Sequence, residues 1–160
     1  MEGSFRVGLR VGDVPAAMRF YGGIGFEEAG EVPNPDGEPV MAIRKWGDVL
    51  LIADALVGMP FPDSQRERQI QRGPRGLGVV IGLMVDDLDA TYAYCIEEGC
   101  EITCEPMNEA WGVRVFVCVD PFGYEWEFSQ PIPGMAPADG TTAVQESWVS
   151  GKKSTHSFPL

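Results

Sequence analysis

Val7, Leu9 and Val11 alternate with Arg6, Gly8 and Arg10, a period of two that predicts a strand with one apolar face. Val14, Ala17, Met18 and Tyr21 then recur at helical spacing and line one stripe. Asp13 stands where a helix N-cap belongs, and Pro15 fits a first turn whose amide donors are free anyway. Gly22, Gly23 and Gly25 stop that helix. Strand-like segments follow at 26–32, 40–46 and 48–54, the first two joined by the turn sequence Asn34-Pro35-Asp36-Gly37.

The same order of signals returns at a constant offset of 74 residues: Gly8, Leu9, Val11 and Asp13 recur as Gly82, Leu83, Val85 and Asp87. Ala16 stands over Ala90, Phe20 over Tyr94, Gly25 over Gly99 and Glu31 over Glu105. Ile81, Leu83 and Val85 alternate as a strand, Asp87 caps, and Leu88, Tyr92 and Cys95 form the helical stripe that Gly99 ends. Strand-like segments at 100–105, 112–119 and 124–130 complete the second copy, with Asp120-Pro121-Phe122-Gly123 as a turn. Each half reads β-α-β-β-β, so the class is α+β. A single such sheet leaves one face bare, and two must pair, within the chain or across a dimer. The organisation is a first unit at 1–54, a link at 55–76, a second unit at 77–130 and a tail at 131–160. A link of that length reads as a binding loop or lid, and Met59-Pro60-Phe61-Pro62 within it as a cover for a cavity or a dimer contact.

Composition narrows the partners. A net charge of −12 argues against nucleic acid, which needs clustered Lys and Arg. The acidity keeps the protein soluble or steers a cationic small molecule toward it. No apolar run reaches the ~20 residues of a membrane span, and the first ten residues lack a signal-peptide pattern, so a cytoplasmic location and no membrane partner are expected. Cys95, Cys100, Cys104 and Cys118 form no CxxC pair and read as small buried hydrophobes. The sole histidine, His156, lies in the polar tail, so neither a cysteine–histidine metal site nor a cofactor is expected.

Val11-Gly12-Asp13 leading into Ala16-Ala17, Phe20-Tyr21 and Gly25-Phe26, together with Asp120-Pro121-Phe122-Gly123 and Trp126-Glu127-Phe128, resembles the glyoxalase, bleomycin-resistance and extradiol dioxygenase (vicinal oxygen chelate) superfamily. The resemblance spans residues 5–130. It implies tandem βαβββ repeats whose mixed sheet curls around a cavity, and a homodimer. It also implies functions ranging from metal-dependent glyoxalase and dioxygenase chemistry to metal-free drug binding. The family's four metal-binding strand positions fall near Arg6, Leu51, Val80 and Glu127, of which Glu127 alone offers a ligand atom. One carboxylate does not hold a divalent ion. The resemblance is therefore to the metal-free, drug-binding type.

Alternation places Arg6, Gly8, Arg10, Val80, Gly82 and Met84 on the face away from the helices, with Leu51, Ala53, Glu125 and Glu127. Arg114, Phe116 and Cys118 are assigned there too, because an arginine is poorly tolerated against a helix-packed core. Trp46 and Trp111, at strand ends or turns, either stack on a planar ligand or cover the core edge. The expected ligand-binding set is Trp46, Leu51, Phe61, Met84, Trp111, Arg114, Phe116 and Glu127, around a hydrophobic or cationic compound such as an antibiotic. Glu127 either anchors that compound, pairs with Arg114 or Arg6, or acts as a general base. The alternatives to sequestration are a metal-independent lyase or isomerase using Glu127, and a metal-dependent enzyme of glyoxalase or dioxygenase type.

Overall fold

In the computed structural model, which describes residues 5–59 and 63–135, each long helix begins where a side chain accepts one of its free amides. Helix α1 (Val14–Ile24) follows strand β1 (Phe5–Val11), and the Asp13 carboxylate accepts from the Ala16 N–H at 2.8 Å. The helix stops at Gly25, whose φ of 124° is open to glycine and costly for other residues. Strands β2 (Glu27–Pro33), β3 (Pro39–Trp46) and β4 (Val49–Ala55) complete the first copy. The second copy repeats it: β5 (Val80–Met84), α3 (Leu88–Glu97), β6 (Glu101–Asn108), β7 (Val113–Val119) and β8 (Glu125–Pro131), with Asp87 accepting from Ala90 N–H at 2.9 Å. Helix α2 (Ser64–Arg72) lies between the copies.

The two sheets share one topology. Their strand orders are β1-β4-β3-β2 and β5-β8-β7-β6, with the first and last strands of each copy parallel and the other pairs antiparallel. The protein is thus α+β, two four-stranded mixed sheets each carrying the helix of its own βαβββ repeat. The chain divides into two compact units, Met1–Gly78 with the turn Pro121–Tyr124, and Val79–Asp120 with Glu125–Leu160.

In the first unit the helix-facing side of the sheet presents Leu9, Val11, Ala42, Leu51 and Ala53, all buried against Ala17, Met18 and Tyr21 of the same unit. Phe122, at the turn that belongs to this unit, meets the rings of Phe20 and Tyr21, each at 5.9 Å. In the second unit Phe128 stacks between Phe116 at 5.1 Å and Trp126 at 5.7 Å, and Tyr92 of α3 meets Phe116 edge-on at 5.2 Å. The buried Trp126 indole N–H donates to the Asp120 carboxylate at 2.8 Å, satisfying a polar edge the core would otherwise strand.

Candidate functional site

Strand register decides which side chains are free to meet a ligand, because the face against the helix is filled in both units. In the first unit, β1 and β4 pair Arg6 with Leu50, Gly8 with Ile52 and Arg10 with Asp54 on the open face. In the second, β5 and β8 pair Val80 with Glu125, Gly82 with Glu127 and Met84 with Ser129 on that face. Across β7, Val117 stands opposite both Glu127 and Cys104. A side chain added at Gly8 or Gly82 would meet nothing within 4 Å, so each open face has room beside its first strand.

Two expectations need correction. Leu51 lies on the helix side, paired with Val7 and 2% exposed, and the open-face residues of β4 are Leu50, Ile52 and Asp54. The repeat offset grows to 75 by the last strands, since Ile52 lies beside Gly8 as Glu127 lies beside Gly82, making Leu51 the counterpart of buried Trp126. Arg114, Phe116 and Cys118 likewise occupy the helix side of β7. Phe116 packs on Tyr92, and Arg114 forms an ion pair of 2.8 Å with Asp89 in the first turn of α3. The arginine is tolerated there because the apolar core has ended at that point, leaving its side chain 37% exposed.

The other expected residues are distributed as follows. Glu127 and Met84 stand on the open face of the second sheet, Met84 well exposed. Trp111 is half-buried in the turn between β6 and β7. Trp46 lies at the edge of the first core, its ring 5.4 Å from that of Phe26 and packed over Gly25. Phe61 lies outside the described residues. Arg114 also lines a hollow of about 670 Å³ with Pro106, Asn108, Gln130 and Ile132.

Asp54 was not anticipated. It shares the open face with Arg10, their charged atoms 3.5 Å apart, and burial pushes its carboxyl above the ordinary range while Arg10 partly opposes the shift. The signal lay in the run Val49-Leu50-Leu51-Ile52-Ala53-Asp54, where only the final carboxylate reveals which parity is open. In the second unit the Cys104 thiol is raised by burial first and then by the nearby charges of Glu109, Glu105 and Glu127, an acidic surrounding that disfavours another anion.

Comparison with known proteins matches this geometry to a family. Residues 4–128 match the model of the Glyoxalase/Bleomycin resistance protein/Dioxygenase superfamily. An uncharacterized protein of Mycobacterium bovis is 31% identical over 126 residues, covering 78% of this chain and 80% of that one. A Mycobacterium tuberculosis relative is also 31% identical over 126 residues, with 78% and 72% covered. Among solved structures, a glyoxalase family protein from Bacillus cereus superposes with a TM-score of 0.63 at 16% identity, over 82% of this chain and 95% of that one. TioX from Micromonospora sp. ML1 superposes with a TM-score of 0.60 at 20% identity, over 82% and 100%. These last two likenesses concern the fold; the family match over most of the chain, carried on two βαβββ repeats, shows that this protein belongs to the Glyoxalase/Bleomycin resistance protein/Dioxygenase superfamily.

Proposed function

We propose that this protein binds a hydrophobic or cationic small molecule without a metal ion, sequestering an antibiotic or another natural product. The observation that carries the reading is the setting of Glu127. It has open space above Gly82 on one side and apolar Val117 on the other, with exposed Val80 and Met84 on the same face. A carboxylate beside a vacant apolar surface orients a cation or a hydrogen-bond donor while burial of the ligand's rings supplies the affinity. The donor set does not fit the family's divalent metal. The open faces of the strands concerned carry Arg6, Arg10, Leu50, Ile52, Val80 and Met84 beside Glu125, Glu127 and Ser129 of β8, and the first unit's carboxylate, Asp54, is already next to Arg10. A guanidinium repels a cation and alkyl groups offer it no lone pair.

The test is a titration of purified protein with a panel of antibiotics, following tryptophan emission and recovering the compound afterwards. Saturable quenching with the compound unchanged, weakened about tenfold or more in Glu127→Gln, is the expected result. Chemical turnover, or silence across the panel, would overturn sequestration and favour the lyase or isomerase reading. The proposal includes a homodimer, because a second copy would cover exposed apolar side chains such as Phe5 and Val49, which pair at one end of β1 and β4; sedimentation at the mass of two chains checks it.

A further inference from the structure

Three of the four cysteines converge on one place although no spacing in the sequence joins them. Cys95 ends the buried stripe of α3, Cys100 is the residue before β6, and Cys118 sits on the helix side of β7. Their sulfur atoms all lie within 4.8 Å of one another. Each is held by backbone. The Cys100 N–H donates to the Cys95 carbonyl at 2.9 Å, closing the end of the helix, while Cys118 is fixed in register between Ile102 and Trp126. Cys95 and Cys118 are buried, whereas Cys100 is partly exposed and opens the cluster to solvent.

We propose that Cys95, Cys100 and Cys118 form a three-thiolate site for one monovalent copper ion. Thiolates are soft donors and select Cu(I), zinc and iron–sulfur centres among the biological metals. A metal–sulfur bond of roughly 2.3 Å places three sulfurs in a plane about 4 Å apart, a spacing within the present cluster. Zinc takes four ligands, and the cluster supplies three among the described residues; the nearby Asp120 carboxylate already accepts from the Trp126 indole. Three-coordinate Cu(I) needs no fourth.

Binding leaves copper at +1: three Cu–S bonds form, and the protons remaining on the three sulfurs pass to water. No sulfur is oxidised. The site is on the helix side of the second sheet and Glu127 is on its open face, so the inference stands apart from the proposed small-molecule function.

The test uses the reduced full-length protein in the absence of oxygen. Cu(I), supplied as its acetonitrile complex, competes against a colour-forming Cu(I) chelator while thiolate-to-copper charge-transfer absorption is followed in the ultraviolet. One copper per chain should be withdrawn from the chelator, and X-ray absorption should show three sulfur neighbours. Cys100→Ser, at a partly exposed position that tolerates the change, should weaken retention a hundredfold or more with an unchanged circular dichroism spectrum. Cys104→Ser, which removes the thiol on the other face, should retain copper fully. Failure to hold copper against the chelator, equal retention in Cys100→Ser, or one-to-one binding of zinc with none of copper would each overturn the proposal.

Discussion

Tyr124 shows how one hydroxyl completes a strand edge. Among the described residues strand β1 stands at the edge of its sheet, and Tyr124 binds the backbone of Arg10 on it. The Tyr124 hydroxyl accepts from the Arg10 N–H and donates to the Arg10 carbonyl, both at 2.8 Å, and its ring is buried. Removing the oxygen leaves two backbone groups stranded, at a cost of about 1–3 kcal/mol. Tyr124→Phe should therefore lower the urea midpoint with an unchanged slope; an unaltered midpoint would mean that water replaces the hydroxyl. Asp54 gives a prediction with a sign. Burial raises its folded pKa, so the fold binds that proton more tightly than the unfolded chain does. The resulting stabilisation is complete below the ordinary carboxylate pKa of about 4 and is lost as pH rises through the folded value. Asp54→Asn abolishes that titration. Denaturation midpoints measured from acid to neutral pH should show the wild type losing ground to the variant as pH increases.

The elements were largely legible, and their faces less so. Both β-α-β-β-β series follow from period-two strands, Asp caps and glycine stops, because each of these has a local cause. Helix α2 was not legible, since it has no buried residue and hence no apolar stripe; the Asp63 side chain accepting from Gln65 N–H and the Gln71–Glu67 contact support it instead. Tyr124 holds β1 by hydrogen bonds across 114 residues, which no local pattern reveals. Faces failed where a strand is apolar on both sides. The run Val49 to Ala53 has no alternation, and in Val113 to Val119 the valines occupy the open side while Arg114 occupies the helix side. The cysteine cluster was equally hidden, because it depends on β7 register and not on spacing. Gly82 offers a test at this scale. Its added side chain would enter open space beside Glu127, so Gly82→Leu should fill the proposed ligand volume without straining the fold. Binding of any ligand found in the panel should fall tenfold or more with a melting temperature within a few degrees of wild type. A collapse in melting temperature would show that the space is needed by the protein itself.

At the scale of the whole molecule the dominant property is charge: 24 acidic side chains against 12 basic ones. A field of that sign acts on a ligand before any contact forms, raising the encounter rate of cations and lowering that of anions. Salt limits its reach, since the screening length shrinks from about 30 Å at 0.01 M to about 8 Å at 0.15 M ionic strength. If sequestration favours a cationic natural product, its association rate should fall several-fold across that range in stopped-flow fluorescence. Its dissociation rate should change little, because the bound compound is held by burial and by Glu127 at close range. A neutral analogue of similar size should show a flat association rate. Equal salt dependence for the two compounds would separate the acidity from recognition and leave it the role of keeping the protein soluble.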